Sequence, residues 1–260
     1  MKNHLIRIFI LLCIVTHGLT ADEKPETSKE DTVAVEEEKE TYIKELVEDY
    51  DETLGFFVTY RDPESNQIFL KITKEQLKSE FIYFAHVING VASTGKVKGS
   101  YTDEGIFKIE KDFNNLRFSR VLTNFSFDKD SPLAKSQGAN ISDSTFQVFE
   151  ILATNEEESE YLIDITGMLL SETLTPILPI YSPDGPPPGF TWGQVSPFKS
   201  RVAGVYNYEK NTDFEVEYVI ESAPSYDYES DDVADPRNVN IKLRYSFIEM
   251  PKNDFEPRLA

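Results

Sequence analysis

Two segments near the C-terminal end constrain the fold more than any other part of the chain. In DFEVEYVIE (213–221), Phe214, Val216, Tyr218 and Ile220 alternate with Glu215, Glu217, Val219 and Glu221. In NVNIKLRYSFIEM (238–250), Val239, Ile241, Leu243, Tyr245 and Phe247 alternate with Asn240, Lys242, Arg244 and Ser246. Successive side chains of a strand point to opposite faces, so this period of two predicts two strands, each with one apolar and one wet face. Antiparallel pairing sets Glu215, Glu217 and Glu221 across from Lys242 and Arg244, worth a few tenths to about 1 kcal/mol per opposed pair. The connection between them, SAPSYDYESDDVADPR, is long and acidic.

The same periodicity recurs upstream. GFFVTYR and NQIFLKI flank the turn-rich DPES, which predicts a hairpin of Phe56–Arg61 with Gln67–Ile72. Thr73 and Gln76 then have capping-box spacing for a short helix. FIYFAHVI (81–88) is apolar on both faces and reads as a central strand. Further strands are expected at Ile106–Lys111, Leu116–Phe127, Thr145–Ala153 and Tyr161–Ile165, and DITGMLLSE reads as a strand running into one helical turn. PILPIYSPDGPPPGFTWGQVSP holds too much Pro and Gly for either element. It is a domain linker or, through Ile177, Ile180, Tyr181, Phe190 and Trp192, a segment lying across the sheet. No repeat of fixed period is present. The expected fold class is β-rich α+β: a mostly antiparallel sheet or sandwich with a few short helices and a helical N-terminal leader.

That leader is predicted from Tyr42, Ile43, Leu46, Val47 and Tyr50, whose spacings of three, four and seven place one narrow apolar stripe on a charged helix expected to dock against the β-rich part of the chain. Upstream, residues 1–21 carry Lys2 and Arg7, an apolar run from Ile8 to Val15, and the small residues Gly18, Thr20 and Ala21, the layout of a secretory signal peptide. The run is short for a bilayer, so no stable membrane insertion is expected, and the protein is expected to be secreted, in a periplasm or outside the cell. Residues 22–40 read as an acidic disordered leader and 41–260 as the β-rich domain. Cys13, the one cysteine, lies in the signal, so the mature fold is expected to hold by packing without disulfides. The net charge is −20, or −22 without the signal's two basic residues, and half of it sits at 22–52. Such a surface repels phosphate backbones within a Debye length of roughly 10 Å, and no nucleic-acid partner is expected.

Chemistry-bearing patterns are sparse. The mature chain has one histidine, His86, on the same face of its strand as Ile82, Phe84 and Ile88, which favours a structural imidazole in or near the core over a catalytic one. One histidine and no cysteine cannot build a zinc site, and no G-x-S-x-G elbow or glycine-rich phosphate loop occurs. DYDE (49–52), FDKDS (127–131) and SYDYESDDVADP (225–236) concentrate carboxylates but lack regular calcium-loop spacing, so solvated loops are expected, with a weak calcium site as the sharper alternative. No pair of acids stands out as a glycosidase pair. Asn124 and Asn140 head N-glycosylation tripeptides. Tyr206, Tyr208, Phe190 and Trp192 are candidates to line a sugar or peptide groove, with core and sheet packing the plainer use. No catalytic, cofactor-binding or metal-binding residue is assigned, and no cofactor is expected in this chain.

The order of segments carries a resemblance. LGFFVTYRDPESNQIFLKITKEQLKSEFIYFAHVINGVASTG, GIFKIEKDFNNLRFSRVLTNFSF, STFQVFEILA, EYLIDITGMLLSE and DPRNVNIKLRYSFIEMPKNDFEPRLA together resemble the N-terminal domain of unknown function of secreted, mainly bacterial, metzincin-like zinc-dependent metallopeptidases. The resemblance covers most of residues 40–260 and is one of packing patterns; the acidic leader and PDGPPPGF depart from it. It implies a non-catalytic domain acting as scaffold, latency element or substrate-positioning surface. Its implied partner is a C-terminal metallopeptidase domain whose H-E-x-x-H helix, and zinc, are expected beyond MPKNDFEPRLA. The alternative is an autonomous exported binding module for a glycan, peptide or calcium.

Overall fold

The computed structural model describes residues 42–92, 95–125, 131–132, 141–178, 193–222 and 232–252. The elements in chain order are α1 (Ile43–Leu46), β1 (Asp51–Thr53), β2 (Val58–Arg61), β3 (Ile68–Thr73), a 3₁₀ turn (Gln76–Lys78), β4 (Glu80–Asn89), β5 (Tyr101–Asp112), β6 (Asn115–Arg120), β7 (Ser144–Glu150), β8 (Ala153–Thr154), β9 (Glu160–Asp164), α2 (Thr166–Leu169), β10 (Gln194–Val195), β11 (Arg201–Asn207), β12 (Asn211–Glu221) and β13 (Asn238–Glu249). Every strand pair is antiparallel. The fold is the expected β-rich one with a few short helices.

The strands form two sheets. The smaller has the order β1-β2-β3-β9-β8. The larger runs β10-β12-β13-β4-β5-β6-β7, with β11 beside β10 on the edge of β12. The larger sheet curls into a half-barrel. Its inner face is the apolar face read from the alternation: Phe214, Tyr218, Leu243, Tyr245 and Phe247 are all buried. The smaller sheet covers that face with Ile68, Leu70, Ile72 and Ile163. Its other face carries Tyr60, Phe69 and Leu162, and α1 closes over these with Ile43 and Val47. The smaller sheet is therefore the middle of three layers, apolar on both sides, which is why β3 reads as a nearly unbroken apolar run (IFLKI).

Local signals explain the connections. The β2–β3 hairpin forms as expected, with Arg61 opposite Ile68. Asp62 Oδ1 accepts the Glu64 N–H at 2.8 Å, Ser65 Oγ donates to Asp62 Oδ2 at 2.6 Å, and Asn66 takes φ 63° to finish the turn. The capping box is reciprocal: the Thr73 N–H donates to Gln76 Oε1 at 2.9 Å and the Gln76 N–H to Thr73 Oγ1 at 3.3 Å. β4 is central, between β13 and β5, and α2 is the one helical turn expected after β9. β12 and β13 pair in the expected charge register, Glu215 opposite Arg244 and Glu217 opposite Lys242, whereas Glu221 meets Asn238 and bonds Lys199.

Other boundaries differ. The helical stripe from Tyr42 to Tyr50 yields one turn of helix, because Asp51–Thr53 are drawn into pairing with β2. β5 begins at Tyr101 rather than Ile106, β6 ends at Arg120, and the strand read over Thr145–Ala153 divides between the two sheets as β7 and β8. His86 is half-buried on the outer face of β4, outside the core that Phe81, Tyr83, Ala85 and Val87 enter. Ile177 is buried; Ile180, Tyr181, Phe190 and Trp192 lie outside the described residues, as do the signal and the acidic leader. Among the described residues no helix is long and apolar enough to cross a membrane.

Candidate functional site

A cavity of about 310 Å³ opens at the concave mouth of the half-barrel. Tyr83 of β4, Phe107 of β5, Phe146 of β7 and Phe247 of β13 give it aromatic walls, and Glu172–Pro176 after α2 form one rim. Two irregularities build it. Between β6 and β7 the register passes from Phe118–Gln147 to Ser119–Thr145, which makes Phe146 the extra residue of a bulge. Alternation from buried Phe149 would send Phe146 outward; the bulge instead turns its ring toward Phe107 and Phe118, with centroids 6.5 and 6.2 Å away. Between β4 and β5 a second shift leaves Thr102 as the extra residue, so that Asp103 faces inward with its pairing partner Ala85.

Asp103 meets Arg120 there. Arg120 Nη2 donates to Asp103 Oδ2 at 2.7 Å and Nη1 to Oδ1 at 3.3 Å, a two-point contact between planar groups. The carboxylate stabilises the guanidinium and raises its pKa further. Arg120 also lies 5.8 Å over the Tyr83 ring. Gly105 lies beside it, and a Cβ at that position would stand 3.6 Å from Arg120 Nε, an ordinary contact. The Tyr83 hydroxyl donates to the Leu174 carbonyl at 2.9 Å, and burial, then the Asp103 charge, push its pKa well above 10. Glu172 Oε1 accepts the N–H groups of Ile177 and Leu178 at 2.7 and 2.9 Å, which fixes the rim. Beside the cavity, Tyr218 donates to the Leu169 carbonyl at 2.5 Å and stands 2.7 Å from the Tyr245 hydroxyl. Both carboxylates of the cavity are thus held as acceptors. With four aromatic walls and one planar ion pair, the arrangement suits the binding of a flat, partly apolar group.

The residues singled out from the sequence lie elsewhere. His86 sits on the convex outer face, opposite Arg244 in register and 6.3 Å from the Tyr101 ring. Burial, then the Arg244 charge, lowers its pKa below 6.5, against the opposing pull of Asp213 and Glu215. Arg244 itself bonds Glu215 and lies 5.4 Å over the Tyr206 ring, so Tyr206 packs on an ion pair; Tyr208 is exposed. In DYDE, Glu52 accepts the Tyr60 hydroxyl at 2.8 Å. Asp235 of the 225–236 loop pairs with Arg237, and most of that loop, 127–130 of FDKDS, Asn140, Phe190 and Trp192 lie outside the described residues. Asn124 is exposed. Among the described residues no group of three or more His, Cys, Asp or Glu is placed to hold a metal ion.

The cavity residues Asp103, Arg120, Phe146 and Glu172 escaped the sequence reading. The one available signal was Gly105, an isolated glycine in YTDEGIFKIE, because such a residue inside a strand marks a close approach or a kink. Comparison with curated proteins and with solved structures gives no match. A family model does match, over residues 99–260, from the end of the β4–β5 connection through β13: the chain belongs to the family described as a domain of unknown function, DUF5117.

Proposed function

We propose that this chain is a secreted, non-catalytic domain standing in front of a zinc-dependent metallopeptidase domain, where it positions substrate or braces the catalytic part. One observation carries the reading: the five segments that bear the resemblance build most of the framework, namely β2–β4, β5–β6, β7–β8, β9–α2 and β13, with β1 and β10–β12 outside them. A likeness spread over both sheets is a likeness of a whole domain. β13 lies inside the larger sheet between β12 and β4, and its end at Met250–Pro251 passes a crevice lined by Phe56, Gln76 and Phe81. A domain attached after it would be tethered to a strand held on both sides. Zinc and its ligands belong, in this reading, to that C-terminal domain.

The test is to read the genomic DNA downstream of the codon for Ala260 in all three frames. The expected result is an open frame encoding H-E-x-x-H within a few hundred residues. A stop with no such helix in any frame overturns the proposal.

The cavity supports a second reading, an exported binding module for a small aromatic-stacking ligand such as a glycan. Ligand binding to the native state raises its melting temperature by mass action, so a thermal-shift panel of glycans and calcium separates the two.

A further inference from the structure

We infer that β7 is a docking edge for an extended polypeptide, which adds to the larger sheet as a further strand and seats one aromatic side chain in the cavity beside Phe146. β7 is the last strand of the larger sheet, and among the described residues it pairs with β6 alone. Its outer N–H and C=O groups form a row that another strand can satisfy, in competition at the Val148 carbonyl with the Gln147 side-chain amide 3.1 Å away. Natural edges are blunted by Lys, Pro, extreme shortness or a bulge, and of these β7 carries the bulge at Phe146. β7 reads STFQVFE, seven residues with no Lys, Arg or Pro. At about 3.3 Å per residue it offers some 23 Å of edge. It is held firmly from the other side, where Ser119 Oγ and Thr145 Oγ1 lie 3.0 Å apart and Phe149 is buried.

The cavity makes the edge selective. Ser144 and Phe146 belong to both, so a strand laid along β7 brings one of its alternate side chains to the cavity mouth. Strand addition of this kind draws affinity from the main chain and selectivity from such pockets. The volume is near the lower limit for a ligand pocket, of the order of 300 Å³, which admits one large side chain. The Arg120 guanidinium, held by Asp103 and lying over the Tyr83 ring, lines the cavity, so an incoming aromatic ring would join that stack. At the other end of β7, Glu150 is exposed and has no ion pair among the described residues. With a net charge of −20 on the chain, the fitting partner is a neutral to basic extended segment with one aromatic residue.

This deepens the substrate-positioning reading, yet it fails separately, because the test needs only the purified protein and the reading of downstream DNA is independent of it. The probe is a fluorescein-labelled peptide, K-T-F-T-V-T-K, followed by anisotropy, with hydrogen exchange read over residues 144–150. Gly105→Leu fills the cavity from a position whose Cβ meets only ordinary contacts, and Gly105→Ala fills it less. The expected result is saturable binding, slowed exchange across β7, and a loss of about tenfold in affinity for Gly105→Leu and for a probe with Phe replaced by Ala. Gly105→Ala, the smaller step at the same position, should lose less affinity than Gly105→Leu, and circular dichroism checks that both variants fold. Four outcomes overturn the inference: no binding, binding indifferent to Gly105→Leu, exchange at 144–150 already slow before the probe is added, or displacement of the probe by glucose.

Discussion

His86 and the buried tyrosines show how single side chains are tuned by their layer. His86 is half-buried beside Arg244, and burial first, then that charge, disfavours its protonated form. A group whose folded pKa is depressed contributes stability above its unfolded value, near 6.5, that is lost as pH falls through the folded value. Its NMR titration midpoint should therefore lie below 6.5; a midpoint at or above 6.5 contradicts the environment described for it. Tyr218 and Tyr245 make an ordered pair. Tyr218 gives its proton to the Leu169 carbonyl, so Tyr245 must donate to Tyr218. Tyr245→Phe removes one donor whose acceptor keeps its own bond, at a cost of about 1 kcal/mol. Tyr218→Phe strands both the carbonyl and the Tyr245 hydroxyl, at roughly 2–3 kcal/mol. Urea denaturation that ranks the two variants in the opposite order refutes this donor assignment.

Between elements, Gln76 and the β12–β13 ladder do the joining. Gln76 Oε1 closes the capping box on Thr73, and its Nε2 donates to the Phe56 carbonyl at 2.9 Å, tying the 3₁₀ turn to the chain entering β2. Gln76→Ala loses both contacts and should destabilise by roughly 2 kcal/mol, against about 1 for Thr73→Ala. Equal midpoint shifts in chemical denaturation would show that the Phe56 contact contributes nothing. On the other side of β12, across its pairing with β11, Arg201 bonds Glu217 and holds its carboxyl below the ordinary 4.5. That stability is present above pH 4.5 and lost as acid protonates the folded carboxylate, so Glu217→Gln should flatten the acid limb of a stability–pH curve. An unchanged acid limb would show that the pair is inert. The ladder was also the most legible part of the sequence, because strict alternation over nine residues admits one pairing face and the charges choose the register. The α1 stripe misled because one apolar stripe suits either a long helix or a single turn, and backbone pairing of Asp51–Thr53 with β2 decided between them. The cavity was illegible for a different reason: a bulge at Phe146 and a shift at Thr102 set which side chains face inward, and neither leaves a periodic trace.

At the scale of the molecule, the family match and the folding unit do not coincide. The match begins at residue 99, whereas Glu40–Ala260 forms one compact unit. The earlier part supplies β4, which sits between β13 and β5 in the middle of the larger sheet, and β1–β3, three of the five strands of the smaller. Phe57, Ile68, Leu70, Ile72, Phe81 and Tyr83, all buried, come from it. A chain starting at residue 99 would have to pair β13 with β5 across the missing strand and leave the inner face without its cover. Deleting buried side chains costs 2–5 kcal/mol each, so the loss of this many exceeds a whole domain's stability of about 5–15 kcal/mol. A fragment of 99–260 should therefore lack a cooperative melt and near-ultraviolet circular dichroism, while 40–260 should show both. The outcome bears on function as well, because Tyr83 walls the cavity and β4 carries the strand β5 on which Asp103 and Gly105 stand. A cooperative transition in 99–260 would mean that the larger sheet can close without β4, and both the layer order and the cavity built on it would have to be redrawn.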